Sequence, residues 1–277
     1  MSYKTILVHV DESQFVETRI EIASNIALVE NAHLIGVAMT GLPETIYQTA
    51  AFSPAAPIAP YLETLRQRAN EALEKFETIV RRMGVLSFEK RLIDDEITEG
   101  IGLQARYCDL VVLGQTSQDD PSFAVGANFP EQVILDSGCP ALIIPYIGAL
   151  KTFGTKVLVA WNGSMEAMRA VHDAIPLLQR ADIVDVVIFN PSEDTQGREP
   201  GADIGLYLSR QGVKVNLKAE ASEIRNIGNA LLSRAADFGS DLIVMGCYGH
   251  SRFREVIMGG VSRTLLESMT VPVLMSH

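Results

Sequence analysis

The sequence predicts an α/β fold: two tandem open, mainly parallel five-stranded sheets with helices on both faces. Two observations predict it, a pattern that occurs twice along the chain and short Val/Ile/Leu runs that alternate with amphipathic stretches. KTILVHVDES, beginning at Lys4, is matched by TKVLVAWNGS from Thr155, which sets Asp11 against Asn162 and Ser13 against Ser164. Later, DLVVLGQTS from Asp109 parallels DLIVMGCYG from Asp241, and CPALIIP from Cys139 parallels VPVLMSH from Val271. From Asp109 onward the copies run at a constant offset. This predicts a first domain over 1–146, a connector, IGALKTFG, over 147–154, and a second domain over 155–277. The 277 residues suffice for two such domains.

In the second copy the strands are expected at Lys156 to Trp161, Val184 to Phe189, Val213 to Ala219, Leu242 to Met245 and Val271 to Met275. Each is too short and too β-branched for a buried helix. Between the first two, Met168, Val171, Ile175 and Leu178 share a helical face, with Ser164 placed to cap its start. Ile224, Ile227, Leu231 and Ala235 form a similar stripe before the fourth strand. The first copy carries roughly 19 extra residues by the change in alignment offset. Most fall in GLPETIYQTAAFSPAAPIAPY, residues 41–61, expected to be a loop because Pro54, Pro57 and Pro60 deny regular pairing. The whole reads as a Rossmann-like alternation, in which ligands bind beyond the carboxyl ends of strands where strand order reverses.

Composition narrows the partners. Hydrophobic residues at 47% and charged residues at 21% suit a folded globular chain. A net charge of −11 opposes nucleic acid and anionic membranes, while leaving room for a small anion held by local backbone dipoles. The opening MSYKTILVHV is too short an apolar run for a signal peptide, and no stretch approaches the roughly 20 apolar residues of a membrane span, so a cytoplasmic location is expected. Cys108, Cys139 and Cys247 form no Cys-x-x-Cys pair, which predicts neither disulfide nor structural metal.

The most informative run is DLIVMGCYGHSRFREVIMGGVS, Asp241 to Ser262, with Gly246, Gly249, Gly259 and Gly260 between a strand end and a helix start near Val261 and Ser262. Glycines let backbone N–H groups approach a phosphate with no Cβ in the way, and a helix start adds the positive end of its dipole. The plain alternative is a tight loop with a close helix–sheet contact. Arg252 and Arg254 are placed to reach a triphosphate, although arginines beside Glu255 commonly pair in solvent. His250 reads as an exposed loop residue, Cys247 as a small residue in the loop with a minor redox reading, and His9 as packing. No Gly-x4-Gly-Lys-Ser/Thr loop, magnesium carboxylate pair or nucleophile–base pair is evident, so at most slow hydrolysis is expected.

On the duplication, the α/β alternation and Gly246-x2-Gly249-x9-Gly259, the chain resembles the universal stress protein family in its tandem two-domain form. The resemblance implies a stress-response regulator holding ATP or AMP, with or without Mg2+, in the second copy. It implies phosphate contacts from the loop backbone, Gly260, Val261 and the Ser262 hydroxyl, and ribose or adenine contacts near Ala160, Trp161, Asn162, Asn190 and Met245. Asn162 stands where the family often has Asp, and Gly260 where it often has a hydroxyl residue. In the first copy Gly114 remains, but Ser117, Ala127, Asn128, Phe129 and Pro130 replace Gly249 through Ser262, and Asp119 and Asp120 add negative charge. No nucleotide is expected there. The family also implies intramolecular pairing of CPALIIP with VPVLMSH, and allows a homodimer. The alternatives are a binding or scaffold protein for an apolar ligand or protein partner, with Tyr47 and Phe52 covering a groove, and a genuine weak ATPase.

Overall fold

A computed structural model of the chain describes residues 2–42, 45–48, 58–116, 128–147, 152–191, 201–220, 226–247 and 260–277. The chain divides into two compact units, Ser2–Ala141 and Leu142–His277. In the first, β1 (Thr5–His9), β2 (His33–Met39), β3 (Phe88–Ile93) and β4 (Leu110–Gly114) lie in the order β3-β2-β1-β4, paired parallel throughout. Its helices are α1 (Val16–Glu30), α2 (Ala59–Met83), α3 (Ile97–Ala105) and α4 (Phe129–Ser137), and β5 (Ala141–Ile144) begins where the division falls.

The second unit contains β6 (Lys156–Ala160), β7 (Ile183–Phe189), β8 (Val215–Glu220), β9 (Leu242–Gly246) and β10 (Val273–Ser276). They form an open parallel sheet in the order β10-β9-β6-β7-β8. Helices α5 (Met165–Leu178), α6 (Ala202–Arg210), α7 (Ile227–Phe238) and α8 (Gly260–Ser268) connect them. Strands meet the expected ranges to within about two residues, as fraying ends allow. The inner strands are buried along nearly their whole length, which is why LVVLG and LIVMG carry no polar alternation. β8, at the edge, is mostly exposed and mixes Asn216, Lys218 and Glu220 with apolar residues.

Ser164 caps α5 as expected, its hydroxyl accepting the Ala167 N–H at 3.2 Å. The buried face of α5 is built as much by Ala167, Ala170 and Ala174 as by Val171, Ile175 and Leu178, while Met168 is half-buried. Leu231 and Ala235 are buried on α7 and Ile227 is half-buried; Ile224 lies outside the described residues.

The expectation of a loop over 41–61 fails at 45–48 and 59–61, while 43–44 and 49–57 lie outside the described residues. Residues 45–48 are helical, and α2 starts at Ala59 with Pro60 in its first turn. Proline breaks a helix interior but fits the first turn, where its missing N–H has no intrahelical acceptor. Tyr47 is buried against Leu62, with Leu42 and Ile46 packed alongside and the Arg66 guanidinium 4.3 Å from its ring centre. Tyr47 is therefore part of the first unit's core; Phe52 lies outside the described residues.

One device recurs in both units. The Asp109 carboxylate accepts the Lys4 and Thr5 N–H groups at 2.7 and 2.9 Å, fastening the start of β1 beside β4. The Asp241 carboxylate accepts the Thr155 and Lys156 N–H groups, both at 2.9 Å, and the Thr155 hydroxyl at 2.6 Å, doing the same for β6 beside β9. No helix among the described residues is long and apolar enough to cross a membrane.

Candidate functional site

In each unit the first strand has its neighbours running off in opposite directions: β1 sits between β2 and β4, and β6 between β7 and β9. Connections therefore leave the carboxyl ends of the central pair on opposite faces, which opens a crevice there.

In the second unit, Ala160 ends β6 level with Met245 of β9 and Val187 of β7. The chain stays extended for one more residue, and the Trp161 N–H donates to the Val187 carbonyl at 2.9 Å. Asn162 then folds back: its side-chain oxygen accepts the Ser164 N–H at 3.0 Å, which leaves its NH2 group as the donor available to a ligand. Asn190, just past β7, takes a left-handed backbone at φ 49°, a conformation asparagine tolerates. Ala160 and Trp161 are half-buried and Asn162 and Asn190 exposed, so this edge is open to solvent.

Gly246 ends β9 under the first turn of α5. A Cβ there would overlap the Ala167 nitrogen and Glu166 carbonyl carbon and lie 2.7 Å from the Glu166 oxygen. Close helix–sheet packing accordingly explains this glycine. Gly260 differs, since among the described residues nothing lies within 4 Å of the Cβ position it lacks. It opens α8, whose first turn contains Val261 and Ser262 and offers N–H groups without intrahelical acceptors. Ser262 is buried, at 3% exposure. Gly249, Arg252 and Gly259, with His250 and Arg254, lie outside the described residues. Cys247 is 1% exposed, and its thiol donates to the Ser276 carbonyl at 3.3 Å, which suits packing rather than redox exchange. Strand ends thus bring Ala160, Trp161, Asn162, Met245 and Gly246 together, with Asn190 on the adjoining strand.

The first unit treats the same place differently. His9, matching Ala160, is 2% exposed and packs on Phe129, matching Val261, with ring centres 5.1 Å apart. Asp11, matching Asn162, accepts the Ser13 N–H at 3.0 Å and pairs with the buried Arg19 guanidinium, Nη2 to Oδ1 at 2.6 Å. Arg19 matches Ala170. Burial pushes the His9 pKa down to about 4; the Asp11 charge opposes this and the Arg19 charge adds to it, so the ring is neutral near pH 7. Burial alone would raise the Asp11 pKa, but Arg19, His9 and the donated hydrogen bonds hold it well below the ordinary carboxylate range. Sequence reasoning missed Arg19, and also Asp109 and Asp241. The signals were present: an arginine on the apolar face of α1 beside Val16, Ile20 and Ala23, and an aspartate repeated before the same strand in both copies.

In each unit, parallel strands with a crevice where strand order reverses define a doubly wound α/β domain of the Rossmann-like class. Residues 155–277 match the model of the universal stress protein family. The Universal stress protein Slr1230 of Synechocystis sp. is 27% identical over 173 residues, covering 60% of this chain and 57% of that protein. The match therefore spans little more than half of that relative. A universal stress protein from Archaeoglobus fulgidus superposes with a TM-score of 0.73 at 17% identity, over 98% of this chain and 95% of its own. A functionally unknown protein from Pseudomonas aeruginosa superposes with a TM-score of 0.66 at 16% identity, over 99% and 92%. At such identities the likeness is one of fold. Among the described residues no cluster of three or more His, Cys, Asp or Glu side chains is placed to hold a metal ion.

Proposed function

We propose that the second unit binds an adenine nucleotide, ATP or AMP, beyond the carboxyl ends of β6 and β9, and that the protein is a nucleotide-responsive regulator of the stress response with at most slow hydrolysis. One observation carries this reading. Where the first unit has His9, Arg19 and Phe129, the second has Ala160, Ala170 and Val261, and its strand ends are open to solvent. Small side chains leave the backbone within reach of a ligand, and the match of residues 155–277 to the universal stress protein family supports a nucleotide as the occupant.

In this reading the Asn162 NH2 group donates to a ribose oxygen, the backbone near Asn190 and the Met245 side chain line the base, and Trp161 borders the pocket. The α8 N-terminus, from Gly260 through Val261 to Ser262, faces the phosphates, with Gly249 and Gly259 supplying loop N–H groups and Arg252 a counter-charge. Mg2+ would accompany a triphosphate rather than occupy a protein-built site. Residues 1–146 act as a degenerate copy joined by 147–154, in a cytoplasmic protein whose domains pair and which can form a homodimer.

Trp161 is the chain's one tryptophan, so its emission reports on this site. Titration with ATP and AMP should change that emission saturably, and calorimetry should give about one nucleotide per chain. No saturation and no heat with either nucleotide would end the proposal.

Gly260→Ser supplies the hydroxyl missing from the phosphate-facing turn, and no atom of the described residues occupies the space for it. One added hydrogen bond of about 1 kcal/mol should tighten ATP binding roughly fivefold. Calorimetry on the two proteins checks this; AMP, with fewer phosphate oxygens to engage, should gain less.

A further inference from the structure

The same glycine ends the strand beside the crevice in both units, yet it meets different neighbours. At Gly246 the nearest atoms belong to the backbone of the first turn of α5. At Gly114 the nearest is Arg19 Nη1, 2.5 Å from the Cβ position, followed by Arg19 Cζ at 3.4 Å, and no α1 backbone atom comes within 4 Å. The helix in the first unit stands off from β4, and a guanidinium fills the gap. That group is 3% exposed, and Asp11, at the end of the neighbouring strand, holds its other nitrogen at 2.6 Å.

We propose that Arg19 is an internal ligand of the first unit: its guanidinium occupies the strand-reversal crevice from within, clamped between the Asp11 carboxylate and the Gly114 backbone, and keeps that crevice shut. Three features support an occupant rather than an incidental ion pair. The guanidinium bridges the ends of β1 and β4, the two strands between which a ligand would enter. His9 and Phe129 close over the same strand end, and Val10, next along, is 1% exposed. The second unit has lost the set together, with Ala160, Trp161, Asn162, Ala170 and Val261 in place of His9, Val10, Asp11, Arg19 and Phe129. The site so defined takes a planar guanidinium-type cation, because it offers a carboxylate acceptor and a wall free of side chain. None of this requires that the second unit hold a nucleotide.

Chemical rescue of the full-length protein tests the idea without nucleotide. Arg19→Ala should lower the thermal midpoint of unfolding, and millimolar ethylguanidinium should restore more than half of the loss in a saturable way. Ethylammonium and sodium at equal ionic strength should not, and wild type should show no gain. Absence of rescue beyond the ethylammonium control, or equal gain in wild type, would overturn the proposal. Should Arg19→Ala fail to fold, nitrogen NMR of wild type decides instead, with Arg19→Lys used to assign the signal. A clamped guanidinium gives separate, slowly exchanging Nη signals for Arg19, whereas a single averaged signal would refute it.

Discussion

Gly246→Val is expected to cost the second unit about 3 kcal/mol or more of stability, lowering its unfolding midpoint by about 10 °C and abolishing the proposed nucleotide binding with it. The new side chain would enter the space of the Glu166–Ala167 backbone. Backbone cannot rotate away as a side chain can. To make room, the start of α5 must lift, and with it Ala167 and Ala170, both buried, and the Ser164 cap. Differential scanning calorimetry of wild type and variant measures the loss. Gly114→Ala gives the informative contrast, since the added methyl meets the end of the Arg19 side chain. Its cost should come from displacing a paired charge, and should shrink when combined with Arg19→Ala; Gly246→Val should show no such coupling. Equal behaviour of the two glycine sites would mean that the units are packed alike at this point, contrary to the geometry.

Acid should destabilise the first unit in two stages. His9 has an ordinary pKa of 6.5 when unfolded and about 4 when folded, because burial disfavours its charged form. Between those values the unfolded chain takes up a proton that the folded chain refuses, so stability declines as pH falls from 6.5 towards 4 and levels off beneath. At 1.36 kcal/mol per pK unit the total is about 3 kcal/mol. Asp11 acts lower down. Its folded pKa lies beneath the ordinary 3.8, so its contribution is present above that pH and fades as acid titrates it. Urea denaturation across this range should show a steep wild-type profile and a flatter one for His9→Gln, which cannot take up the proton. Parallel profiles would show that other groups dominate.

The central strands were legible from sequence because a strand covered on both faces leaves a run with no polar residue, as in LVVLG and LIVMG. Ser164 was legible for a local reason as well, since capping needs only a hydroxyl next to a helix start. The start of α2 at Ala59 was misread because proline was taken as a breaker, whereas Pro60 occupies the first turn of that helix. Composition does not distinguish these two uses of proline; position within the helix does.

At the site, legibility followed the same division. Ala160, Trp161, Asn162 and Met245 could be placed because strand register alone carries them to one edge. Gly246 was read for phosphate access with a close helix–sheet contact as the alternative, and its neighbours show that contact. Arg19 escaped notice because a long cation at the margin of an amphipathic face normally reaches solvent. Burying it takes an acceptor eight residues earlier and a glycine nearly a hundred residues later, and that combination exists only once β1 and β4 are neighbours.

The paired aspartates at the opposite edge have a mechanical consequence. Asp241 fastens Thr155 and Lys156 where β6 begins beside β9, and Asp109 fastens Lys4 and Thr5 where β1 begins beside β4. Each central strand is thereby stitched at its root, and at its tip only β1 has a guanidinium spanning to its neighbour, since Ala170 stands in the second unit where Arg19 stands in the first. Any widening that admits a guest must spread like a fan from a fixed pivot, and the amides nearest the pivot should be the last to trade their hydrogens for deuterium.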